Sequence, residues 1–115
     1  MELETIQDDG VVSVAVKGRL DSVGVDQLKA RLAQLIESGT TRLVIDFGQV
    51  AYISSAGFRV LLVASRLAEQ AKGALALSGI RGEVKRLFDL AALTEMFTVL
   101  PDRAQAVTAL ANRDR

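Results

Sequence analysis

The sequence predicts one α/β domain, a mixed, mostly parallel sheet of four to five strands with about four helices. Three observations carry that expectation. Short valine-rich or continuously apolar runs alternate with longer segments whose apolar residues recur at three- and four-residue steps, giving the order β-β-α-β-α-β-α-(β)-α. The central run "RLVIDF" is apolar without strict alternation, as expected of a parallel strand covered on both faces. The chain of 115 residues, 50% of them hydrophobic, has the size of one domain with one core. No repeat, low-complexity linker or domain boundary interrupts 1–115.

The first strand is expected around Leu3 to Gln7 and the second from Val11 to Lys17, joined by the hairpin signal "DDG". Gly18 is expected to break the second strand, leaving "RLDSVG" as a loop. From Val25 the period changes: Val25, Leu28, Leu32, Leu35 and Ile36 form one apolar helical stripe. Gly39 stops that helix at the position after the C-cap, where glycine is favoured. After "RLVIDF", a second helix is expected from Phe58 to about Lys72, ended by Gly73. "ALALSG" reads as a short buried strand. "GEVKRLFDLAAL" reads as a short helix with Val84, Leu87 and Phe88 on one side. "MFTVLP" reads as a weak last strand closed by Pro101. A final helix starts at Asp102, which with Gln105 resembles a capping box. Its apolar side is Ala106, Val107 and Leu110, and the polar tail 111–115 is expected to fray.

Composition excludes whole classes of chemistry. Lys plus Arg and Asp plus Glu number 14 each, so charge balance points to neither nucleic acid nor an acidic membrane surface. There is no cysteine and no histidine. Disulfides, thiolate metal sites, Cys nucleophiles, Ser-His triads and zinc-hydrolase motifs are therefore excluded. No metal or cofactor site is expected. The acidic N-terminus is no signal peptide, and no apolar run approaches the roughly 20 residues of a spanning helix, so a cytoplasmic protein is expected. "DFG" at residues 46–48 shares its letters with the magnesium-binding triplet of protein kinases. The Gly-rich loop, strand lysine and "HRD" loop that give the triplet meaning are absent, so a strand end followed by a turn is expected.

Two places combine polar residues with the carboxyl ends of strands, where open α/β sheets meet ligands and partners. Asp21 lies between a strand and a helix. It reads either as a carboxylate assisting the helix start or as part of a binding surface. In "YISSAG", Ser54 and Ser55 precede a helix. One serine suffices as N-cap; the other, on the small-residue turn Ala56-Gly57, is left accessible. A phosphate there would add about −1.5 to −2 charges at the positive end of a helix, where anions are stabilised. Local chemistry leaves both the plain cap and the modification site open. "VKRLFD", by periodicity alone, is an ordinary amphipathic helix. Val63, between Arg59 and Arg66, reads as an exposed apolar residue on a contact surface.

Three segments taken together, "GRLDSVGVDQLKARL", "RLVIDFGQVAYISSAGFRVLL" and "GEVKRLFDLAALTEMF", resemble the STAS-domain anti-anti-sigma factors, or anti-sigma factor antagonists, of bacteria. The resemblance covers nearly the whole chain. It implies a small transcription-regulating switch without catalytic activity of its own. Unphosphorylated, such a protein binds an anti-sigma factor that is also a serine kinase, and so releases a sigma factor. The kinase phosphorylates a serine at the start of the second helix, a PP2C-type phosphatase reverses this, and ATP belongs to the kinase.

The family motif reads Asp-Ser-Ser/Thr-Gly. Gly57 matches its glycine, Ala56 its second hydroxyl position and Ser55 its phosphoacceptor, while Ser54 stands in place of the aspartate. Asp21 matches an acidic position near the partner interface, and "VKRLFD" a helix packing beside it. The resemblance thus implies a docking face of Asp21, Ser22, Ser54, Ser55, Ala56, Gly57, Phe58 and Arg59, with no direct nucleic-acid or membrane partner. STAS domains also serve as scaffolds or regulatory subunits of larger sensory or transport complexes, which is the alternative expectation.

Overall fold

The computed structural model describes residues 1–113. The strands are β1 (Glu2–Asp8), β2 (Val11–Leu20), β3 (Arg42–Ile53), β4 (Ala74–Ser78) and β5 (Thr98–Leu100). The helices are α1 (Ser22–Glu37), α2 (Ser55–Gln70), α3 (Gly82–Leu90) and α4 (Arg103–Ala111), with a 3-10 turn at Thr94–Met96. The strands form one sheet in the order β1-β2-β3-β4-β5, with β1 antiparallel to β2 and the other neighbours parallel. The expected α/β class and mixed, mostly parallel sheet are observed.

The hairpin between β1 and β2 follows from its two turn residues. Asp9 (φ 52°) and Gly10 (φ 77°) both adopt the left-handed conformation that a tight type I′ hairpin requires. Beyond it, strands in sequential order joined by right-handed crossovers put successive helices on one face. Val12, Val14, Leu43, Ile45, Phe47 and Leu77 accordingly pack with Leu28, Leu61, Val84 and Phe88 of α1, α2 and α3. The opposite face carries Val11, Val44 and Ala76, covered by Ala106, Val107 and Leu110 of α4. The run "RLVIDF" is continuously apolar because Leu43 and Ile45 serve one core and Val44 the other.

Several element boundaries differ from the sequence expectation. Gly18 does not break β2: with φ 117° it sits inside a strand that continues to Leu20. "DFG" is not a strand end, since β3 runs on to Ile53. Between Ala15↔Asp46 and Leu20↔Ile53, β3 advances seven residues against five in β2, through two register shifts. The first is held by Asp46, whose Oδ1 accepts from the Gly48 amide at 3.0 Å and the Ser78 hydroxyl at 3.1 Å. The aspartate that looked like a kinase letter therefore braces a β-bulge and ties β3 to β4.

α1 begins at Ser22 rather than Val25, and α2 at Ser55 rather than Phe58, so Ala56-Gly57 is helix and not turn. Apolar periodicity registers a helix only where it begins to bury side chains, and both first turns are largely solvent-facing. Gly39 (φ 100°) does occupy the predicted terminating position of α1. At the end of α2 that position belongs to Lys72 (φ 62°), one residue before the expected Gly73.

α3 stops at Leu90, short of the expected Leu93, and the weak strand β5 is present. In α4, Asp102 caps the Gln105 amide at 2.8 Å. The Gln105 side chain returns to the Asp102 carboxylate at 3.0 Å rather than to its backbone N–H, which makes a variant of the capping box. Ala111, at the head of the tail expected to fray, is buried in the last turn of α4. Asp114 and Arg115 lie outside the described residues. No helix among the described residues is long and apolar enough to cross a membrane.

Candidate functional site

Two helix starts lie side by side at the carboxyl edge of the sheet. The two bulges in β3 bring Ile53 into register with Leu20, so the residues that follow, Asp21 and Ser54, become neighbours just past the ends of two adjacent parallel strands. The Ser54 amide donates to the Leu20 carbonyl at 3.0 Å, which locks the two strand ends together. Each of these residues then caps a helix. The Asp21 carboxylate accepts from the Gly24 amide at 3.1 Å, and the Ser54 hydroxyl accepts from the Gly57 amide at 3.3 Å. α1 and α2 thus present two positive helix N-termini in the same direction.

Asp21 is a cap first and a surface charge second. The Gly24 amide, helped by the Val23 amide and the charge of Arg19, holds its carboxyl below the ordinary carboxylate range against a weaker opposing effect of burial. Arg19 stacks over the Tyr52 ring at 4.5 Å from its centroid, a cross-strand cation–π pair beside the two caps.

Ser55 differs from Ser54. It is the first residue of α2, exposed, and its hydroxyl has no hydrogen-bond partner among the described residues. Of the two serines, Ser54 does the capping and Ser55, the one the resemblance assigns as phosphoacceptor, has its hydroxyl free. Ser22, Ala56 and Arg59 are also exposed.

Two residues expected on the docking face point inward. Gly57 is buried, and a Cβ there would stand 2.7 Å from the Ile53 side chain, so this glycine lets α2 close onto β3. Phe58 is half-buried, with its ring 4.8 Å from Phe88 in an edge-to-face contact. Phe88 also meets Phe47 at 5.9 Å and Phe97 at 6.1 Å. Through Phe58 and Phe88, the "VKRLFD" helix α3 is packed against the first turn of α2. Of the residues expected on a docking face, Ser22, Ser55, Ala56 and Arg59 are exposed, Asp21 and Ser54 are half-buried caps, and Gly57 and Phe58 are turned into the fold.

Val23 was missed by sequence reasoning. It lies in the first turn of α1 and is 67% exposed, an apolar side chain on the rim of the site. Its signal was a valine directly after a polar pair at a helix start, which the apolar stripe beginning at Val25 obscured.

A family model of the STAS domain matches residues 2–106. The Bordetella bronchiseptica protein BtrV, named an anti-sigma factor antagonist, is 33% identical over 109 residues, covering 95% of this chain and 94% of BtrV. An anti-sigma factor antagonist from Mycobacterium paratuberculosis has a similar structure, with TM-score 0.87 and 22% identity over 96% of this chain and 94% of that one. SpoIIAA in its unphosphorylated form superimposes with TM-score 0.73 and 17% identity, over 94% of this chain and 96% of that chain. SpoIIAA has also been solved in a phosphorylated form.

Proposed function

Because this chain belongs to the STAS-domain family, we propose that it is an anti-sigma factor antagonist switched by phosphorylation of Ser55. Unphosphorylated, it binds an anti-sigma factor that is also a serine kinase, and a sigma factor is released. Phosphorylated, it lets go, and a PP2C-type phosphatase restores it. BtrV carries the antagonist name at 33% identity over nearly the full length of both chains, and the phosphorylated form of SpoIIAA supports the switch.

The observation that carries the reading is the division of labour between two adjacent serines. Ser54 is engaged in the α2 cap, while the Ser55 hydroxyl stands exposed and unpartnered on the first residue of the helix. A phosphate on Ser55 would face the amide ends of α1 and α2, where negative charge is stabilised, so the fold can carry it. The same two charges beside Arg59 and the rim of Val23 would change what the face can dock. Ser54 keeps the capping role that an aspartate would fill and removes one negative charge next to the acceptor.

The test is incubation with the partner kinase and ATP, followed by mass spectrometry and binding measurements. A phosphate localised on Ser55 is expected. Ser55→Ala is expected to bind the kinase and stay bound, and Ser55→Asp to bind at least tenfold more weakly. Equal affinities of the two variants, or phosphate placed elsewhere, would overturn the switch.

A further inference from the structure

A second surface begins where the first ends. α1 and α2 run side by side on one face of the sheet, both back from its carboxyl edge, and an open groove of about 220 Å³ lies between them. Its α1 wall is Leu32, Ala33 and Ile36, and its α2 wall is Val63, Ala64 and Leu67. On each helix these fall within one apolar stripe at three- and four-residue steps, so the walls are two parallel ridges. Val63 is 52% exposed and Leu67 40% exposed, although both are large apolar side chains.

The charges on the groove are of one sign. Lys29 and Arg59 line it, both in the half nearer the helix N-termini, and no carboxylate does among the described residues. Neither cation has an ion-pair partner among the described residues. The groove therefore has a cationic end beside Ser55 and an apolar body running away from it. Ser55, Arg59, Val63 and Leu67 follow one another at four-residue steps along α2.

We infer that this groove seats an acidic amphipathic helix of a partner protein. A third helix laid between two parallel ones meets ridges at the spacing its own apolar stripe supplies, which is the helix-in-groove mode of recognition. Leu32 and Ala64 are the buried lining residues, and the small side chains of Ala33 and Ala64 leave room for a backbone at the roughly 8–10 Å separation of packed helices. Carboxylates at one end of the incoming helix complement Lys29 and Arg59 and fix its direction. The apolar body of the groove is separate from Ser55, whereas its cationic end shares Arg59 with the face around that serine.

The test is a titration of isotopically labelled full-length protein, followed by NMR. The probe is a synthetic helical peptide of roughly 16 residues, about 24 Å long, with leucines at i, i+3, i+7 and i+10 and glutamates flanking the first leucine. Shift changes are expected to concentrate on residues 29–36 and 59–67. The exposed-site variants Val63→Glu and Lys29→Glu should each weaken binding about tenfold, while shifts of the free protein change only beside the substituted residue. The same peptide with lysines for glutamates should bind as weakly as the acidic peptide binds Lys29→Glu. Equal binding of acidic and basic peptides, or shifts scattered outside the two segments, would overturn the inference. So would occupation of the groove by palmitate where the peptide fails, which would make it a lipid site. Self-association lost in Val63→Glu, without peptide binding, would assign the groove to a second copy of the chain.

Discussion

Ser54 and Ser55 are chemically identical and one bond apart in sequence, yet the fold gives them different work. Ser54→Ala removes the acceptor for the Gly57 amide and is expected to cost about 1 kcal/mol, while Ser55→Ala leaves stability within about 0.5 kcal/mol. Urea denaturation of the two variants measures the difference. The capping aspartates make a separate, pH-dependent contribution. Asp21 and Asp102 are both held below the ordinary carboxylate range, chiefly by the Gly24 and Gln105 amides respectively. Their folded-state values lie below their unfolded ones, so the stability they contribute is fully present above about pH 4 and is lost as pH falls through the lowered values. Asparagine also caps but does not titrate. The double variant Asp21→Asn, Asp102→Asn is expected to show a shallower fall in melting temperature below about pH 4 than the natural sequence.

Among the elements, the ends of helices and strands hold most of the differences between pattern and structure. The end of α2 is an example. Lys72 is in the left-handed conformation, whereas Gly73 is there for space: a Cβ on it would overlap the carbonyl group of Thr41. Lys72→Gly should therefore raise stability by up to about 1 kcal/mol by relieving a side-chain clash. Gly73→Ala should lower it by about 1–3 kcal/mol or more, since the obstacle is backbone. Thermal melts of the two variants should move in opposite directions. From sequence, a glycine after an apolar stripe looks like a stop signal, and at Gly39 it is one. At Gly73 the same residue answers to Thr41, just before β3, which local reading does not contain. The first turns of α1 and α2 escaped detection for a related reason, because they bury too little to show a period.

At the scale of the whole molecule, two cores of unequal size share one sheet. The smaller depends on a nine-residue helix, α4, seated on Val11, Val44, Ala74 and Ala76. Leu110, 1% exposed, anchors it. Leu110→Ala is expected to cost about 2–5 kcal/mol and to unfold the chain in one transition, measurable by calorimetry, because α4 packs on the same strands that carry the larger core. The sequence by itself determined the class, the order of the elements, the two-faced character of β3 and the presence of a cap at "YISSAG". Apolar period, glycine placement and side-chain chemistry are local properties of a chain. The resemblance had already singled out Ser55; only the tertiary structure decided that Gly57 and Phe58 face inward and that Asp21 stands beside Ser54. Those facts depend on the register of β3 against β2. That register is set by two bulges and the Asp46 brace, and the strand pairing and the Ser78–Asp46 bond join residues far apart in sequence whose geometry no local pattern encodes.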